Sequence, residues 1–168
     1  MIARDDLAEP VHIGVSWDGD ALADPLVDEE TVRLLLQRVL ADHGRTTGQL
    51  LVAIVGDEAM HELNRTHLDH DYTTDVLSFN YGPDVDPDDR TIDTIDGEVI
   101  VNADHACRSG PEHDLDPAIE LLLYCVHGTL HILGYDDGDD ESRAVMEARQ
   151  SGYLNLPGST AGKARDIP

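Results

Sequence analysis

Residues 117–134 read PAIELLLYCVHGTLHILG. A helix from Pro117 to Leu133 would be apolar almost all the way round, with no face to give to water. Such a helix belongs at the centre of a fold, covered by other layers. Pro117 suits the first turn, where a missing N–H costs nothing. Gly134 suits the left-handed residue just past the end. Inside the run stand His127 and His131, at positions i and i+4. Four residues turn a helix by about 400°, so the two imidazoles lie nearly in line on one face. A lone pair of this spacing arises often by chance, but two buried imidazoles are costly unless bonded or coordinated. The stretch continues as GYDDGDD over 134–140. Gly128 leaves the approach to the histidines open. The turn at Gly134 lets a third ligand close a triad, with a fourth position left to water. Proteases of the H-E-x-x-H type place their general base beside the first histidine. Here that position is Gly128, which argues against proteolysis.

The rest of the chain supplies the covering layers. VHIGVSW (11–17) alternates apolar and polar residues as a half-buried strand does. Asp28 can cap a helix from 29 to 43 whose apolar face holds Val32, Leu34, Leu35, Leu36, Val39 and Leu40. QLLVAIV (49–55) is a continuous apolar run of strand length. Asp57 can cap a second helix to His67, with Met60, Leu63 and Asn64 on one side. VLSFN (76–80) and GEVIVN (97–102) read as strands, and the Pro- and Asp-rich 82–94 between them as a loop. A short helix is predicted over 103–109, and a last one from a cap at Asp139 or Asp140 to Gly152. The order β-α-β-α-β-β-α-α-α predicts an α+β fold. A small mixed sheet is covered by helices, and a central buried helix carries the histidines. The chain of 168 residues suits one domain over 1–156, with a disordered tail at 157–168.

Thirty-five acidic residues against eleven lysines and arginines give a net charge of −24. A nucleic-acid binder normally shows a basic footprint. The acidity suggests solubility and argues against RNA globally, though a local site can differ from the average. The acidic run 84–89 reads as a solvated loop. No apolar run is long enough to span a bilayer and no apolar leader opens the chain, so the expectation is a cytoplasmic protein. Cys107 and Cys125 form no C-x-x-C pair and are expected as free thiols. Cys125 lies about 200° round the helix from His127 and faces away from it.

HGTLHILGYDD (127–137) resembles the HGxLHxxGYDH signature of the YbeY family of bacterial single-strand-specific endoribonucleases. LNRTHLDHDYTTDVLSF (63–79) and DGEVIV (96–101) resemble two further blocks of that family, in the same order and spacing. The resemblance covers about residues 50–156. It implies a zinc-dependent hydrolase, with one Zn²⁺ per chain, acting in rRNA maturation (small-subunit rRNA 3′ end processing) and ribosome quality control. The implied partners are rRNA and ribosomal proteins or an assembly GTPase, with neither DNA nor a membrane. The family's three metal-binding histidines fall on His127, His131 and position 137, which here is Asp137. Register favours Asp137 over its neighbours Asp136 and Asp139. Aspartate is a legitimate zinc ligand. Its charge makes the site less positive, the water less acidic and manganese a better competitor. The family's arginine in the second block is Leu68 here. Arg65, three residues earlier, is the candidate to take its catalytic role. Thr74, Asp75 and Ser78 match the block and are expected to fix the loop and strand beside the cleft. His61, His67 and His70 lack ligand spacing with one another and are expected as surface or hydrogen-bonded histidines. Two competing readings are a non-catalytic ribosome-assembly factor with a structural metal, and a metal hydrolase acting on something other than RNA.

Overall fold

The computed structural model describes residues 9–18 and 25–156; the tail expected to be disordered, 157–168, lies outside them. The elements in chain order are β1 (His12–Trp17), α1 (Glu29–Asp42), β2 (Thr47–Val55), α2 (Asp57–His67), β3 (Val76–Asn80), β4 (Thr94–Asn102), α3 (Ala103–Glu112), α4 (Pro117–Ile132) and α5 (Asp140–Tyr153). The strands form one sheet in the order β1-β2-β4-β3. β1 runs parallel to β2 and β2 to β4, while β3 is antiparallel to β4. This is the α+β arrangement and mixed sheet that the sequence predicts.

Period-two alternation sorts the strand residues onto two faces. Leu50, Val52 and Ile54 of β2 and Val99 and Val101 of β4 join the main core with α1, α3 and α4. Leu77, Val55 and Ile100 point the other way, to Met60 of α2. The helix α4 is buried from Glu120 through Leu130. It lies so close to the sheet that a Cβ at Gly128 would sit 2.6 Å from Val99 Cγ1 and 3.1 Å from Val76 Cγ2. The expectation that Gly128 opens the approach to the histidines is therefore corrected. Its bare side faces the sheet, and a glutamate there would enter the core rather than a cleft.

Other expectations shift by physical reasons that can be named. On α1 the buried residues are Val32, Leu36, Val39 and Leu40, a single helical stripe, while Leu34 falls off it and is 57% exposed. Asp57 does not cap α2. Gly56 is the N-cap, and Asp57 is the first helical residue. Its carboxylate accepts from Asn102 Nδ2 at 2.9 Å and Arg108 Nη2 at 2.9 Å. The strand β4 starts at Thr94, inside the expected loop, because its first residues pair with Thr47, Gly48 and Gln49 of β2. The helix α3 runs through Pro111 to Glu112 and closes where the His113 N–H reaches the Ser109 and Gly110 carbonyls at 3.1 and 3.0 Å. Among the described residues no helix is long and apolar enough to cross a membrane.

Candidate metal centre

The end of α4 builds the site. Gly134 takes φ +102°, its N–H donates to the His131 carbonyl, and the Tyr135 N–H donates to the Leu130 carbonyl at 3.0 Å. This double closure is a Schellman turn, and it needs the left-handed residue that glycine accepts. A Cβ on Gly134 would also meet the Val85 carbonyl oxygen at 2.1 Å. The turn sends residues 135–139 back across the histidine face. Asp136 Oδ1 accepts from the N–H groups of Asp137 and Gly138, at 2.8 and 3.2 Å, and shapes that loop. Asp139 caps α5 by accepting from the Ser142 N–H at 2.7 Å. The first and third aspartates are thus engaged with backbone. Asp137 instead brings Oδ2 to 3.8 Å from His127 Nε2 and 3.6 Å from His131 Nε2.

The two imidazoles meet edge to face, with Nε2 atoms 3.1 Å apart and ring centroids 4.6 Å apart. Their other nitrogens are already committed. His127 Nδ1 lies 3.3 Å from Gln150 Oε1, and His131 Nδ1 lies 3.1 Å from the Tyr135 carbonyl oxygen. A proton on each Nδ1 satisfies these acceptors and turns both Nε2 lone pairs toward each other. Two lone pairs at that distance, with a carboxylate beside them, repel unless a cation or a proton lies between them. Burial first, and His131 second, hold the His127 pKa below its ordinary value, which favours the neutral ligand form. Tetrahedral ligands about 2.1 Å from an ion stand roughly 3.4 Å from one another. The three protein atoms come within 4.8 Å of one another, so the donor set fits a divalent cation. Cys125 takes no part: it is a buried free thiol, with its pKa pushed up to about 12 by burial.

The profile of the family described as Endoribonuclease YbeY matches residues 23–157. The chain belongs to the YbeY endoribonuclease family. A YbeY endoribonuclease of Salinibacter ruber is 35% identical over 130 residues, covering 77% of this chain and 83% of the relative. Another, from Rhodopirellula baltica, is 40% identical over 120 residues, 70% of this chain. The match spans 58% of that longer relative. Among solved structures, a Thermotoga maritima protein determined in solution matches with a TM-score of 0.57 at 24% identity, covering 86% of this chain and 87% of its own. That likeness speaks for the fold.

Not all residues suggested by the YbeY resemblance gather at the histidines. Arg65 sits on the exposed side of α2 in an ion pair with Glu62. Leu68 caps the C-terminal end of that helix and is 41% exposed. Among the described residues no hydrogen bond or ion pair joins Arg65 to the trio. Thr74 Oγ1 accepts from Asn64 Nδ2 at 3.1 Å, and the Thr74 carbonyl accepts from Asn102 Nδ2 at 3.2 Å. Asp75 Oδ1 accepts from the Val76 N–H at 2.8 Å. These bonds pin the segment leading into β3. His61 pairs with Asp71, His67 meets Phe79 edge-on, and His70 stacks on Tyr72. Gln150 and Tyr135 were missed from sequence. The signal for Gln150 was a polar residue on the buried stripe Met146–Gln150–Tyr153 of α5. A main-chain carbonyl such as that of Tyr135 leaves no signal.

Proposed function

We propose that this chain is a zinc-dependent, single-strand-specific endoribonuclease of rRNA maturation, including small-subunit rRNA 3′ end processing, and of ribosome quality control. Its place of action is the cytoplasm, and its partners are rRNA with ribosomal proteins or an assembly GTPase. The observation that supports this best is the convergence of three donor atoms, with the two Nε2 atoms 3.1 Å apart and Asp137 Oδ2 at 3.8 and 3.6 Å from them. His127, His131 and Asp137 would hold the ion. The chemistry such an ion supplies is polarisation of a phosphodiester and acidification of a water. Gln150 and the Tyr135 carbonyl orient the two rings. The site sits at 8% exposure for His127 and 42% for the Asp137 side chain, so it is dry at its base and open at its mouth.

Arg65 enters the proposal as the phosphate-facing arginine of α2. Its tie to Glu62 is solvent-exposed, and such pairs are worth about 1 kcal/mol or less, so RNA can displace it. The experiment is cleavage of single-stranded rRNA fragments by the pure, zinc-loaded protein beside His127→Ala and Arg65→Ala. The expected result is loss of cleavage in the first and a fall of at least tenfold in the second. Cleavage that survives His127→Ala sinks the metal mechanism, and full activity in Arg65→Ala removes that residue from it.

A further inference from the structure

In a chain of net charge −24, the placement of each cation matters. Most described arginines are used by the fold. Arg33, Arg65, Arg108 and Arg143 pair with carboxylates, and Arg45 and Arg90 donate to main-chain carbonyls. Arg38 and Arg149 are held differently. Each guanidinium lies over a tyrosine ring, Arg38 on Tyr153 and Arg149 on Tyr135, both at 5.5 Å from the ring centre. A guanidinium on a ring face keeps its in-plane N–H donors free, and the ring restricts its motion in advance.

The two arginines share one surface. Both line a cleft of about 390 Å³ between α1 and α5. Arg149 also lines a second cleft of about 430 Å³, whose wall includes Gly134, Tyr135 and Asp136 of the metal loop. Tyr135 is the hinge between this surface and the metal centre. Its carbonyl accepts from His131 Nδ1, and its hydroxyl donates to His43 Nε2 at 2.9 Å. His43 is 2% exposed, and its Nδ1 donates to the Val39 carbonyl at 2.7 Å. The ring under Arg149 is therefore anchored at both ends.

We propose that these two clefts carry the single-stranded RNA that flanks the scissile bond, with Arg149 and then Arg38 each holding one phosphodiester. This rests on the nuclease reading above. A planar fork of N–H donors matches two phosphate oxygens. The other charged residues of the lining, Asp42, Asp88, Asp136 and Glu141, are all acidic, so the two guanidinium groups are its only positive points and fix where a polyanion can sit. An acidic protein can thus take RNA through two fixed points rather than through a basic surface.

Two contacts make a quantitative signature, because each phosphate neutralised on a single strand contributes about 0.7 to the salt slope. The probe is a fluorescent 2′-O-methyl oligoribonucleotide, verified on a gel to stay uncut over the titration, and it is titrated by anisotropy onto the metal-loaded full chain at several salt concentrations. The slope of log affinity against log salt is expected to become shallower by about 0.7 in Arg149→Gln and by about 1.4 in the double variant with Arg38→Gln, with the share of Arg65 left in place. Arg149→Lys keeps most of the slope, and Arg33→Gln leaves it unchanged. With cleavable RNA, KM rises about tenfold or more in Arg149→Gln while kcat stays within about twofold. Cleavage with slopes and KM untouched by both substitutions overturns the track and leaves the nuclease reading standing. A parent chain that neither binds nor cuts RNA overturns both.

Discussion

Gln150 decides which nitrogen His127 presents, and the Tyr135 carbonyl does the same for His131. Gln150→Leu removes one acceptor while filling similar space. Zinc affinity is expected to fall by about 10- to 100-fold, with the fold retained, in competition against a chromophoric chelator. Unchanged affinity would show that the amide positions nothing. Asp75 carries a different consequence. The residue is 6% exposed, Oδ2 is without a partner among the described residues, and burial raises its pKa from 3.8 to about 6, with the Glu120 charge adding to the rise. The folded state therefore holds this proton between pH 4 and 6, where the unfolded chain has lost it. The stability that Asp75 contributes is full below the unfolded pKa and is lost as pH rises through about 6. Asp75→Asn keeps the Oδ1 acceptor and cannot ionise. It is expected to match the parent near pH 4 and exceed it above pH 6, by up to ~3 kcal/mol at 1.36 kcal/mol per unit. Thermal melts across pH check this, and a constant difference between the two proteins contradicts it.

At the scale of elements, α4 organises both core and site, and one glycine sets its distance from the sheet. Gly128→Ala forces a methyl to within 2.6 Å of Val99 Cγ1. Overpacking of this kind costs about 1–3 kcal/mol, which in a chain of this size lowers Tm by roughly 2–4 °C per kcal/mol. A melt unchanged in Gly128→Ala would mean that the helix can back away from the sheet. The role of this glycine shows where the sequence was readable and where it was not. The apolar run, the i, i+4 histidines and the Gly134 turn were visible because they are local: helix periodicity and turn chemistry act over four or five residues. Asp137 was visible through register with a known motif. The direction in which Gly128 faces depends on β3 and β4, some thirty to fifty residues away in sequence. Asp57 misled for the same reason. An acidic residue before an apolar stripe looks like a cap, but Asn102 and Arg108 claim its carboxylate from β4 and α3. Leu34 looked like core because leucines cluster there, yet only the residues of one stripe reach the sheet.

For the whole molecule, an ion held by the trio would link metal binding to folding, since the trio joins the end of α4 to the loop that leads into α5. An ion that binds only the folded chain stabilises it by about 2.7 kcal/mol at a hundredfold excess over Kd. Chelation is therefore expected to lower Tm by roughly 5–10 °C, and Asp137→Ala to lose most of that response. An equal melt with and without chelator would mean that no ion is held. The net charge of −24 also acts at this scale: it repels a polyanion from the surface as a whole, so RNA recognition would fall to a few fixed cationic groups.

The most direct test measures zinc per chain by elemental analysis in parent, His127→Ala and Asp137→Ala proteins, with cleavage of one single-stranded rRNA fragment followed in the same preparations. One equivalent of zinc and specific cleavage are expected in the parent, with both lost together in His127→Ala. RNA cleavage by a parent chain free of metal, or undiminished in His127→Ala, would contradict the account at its centre.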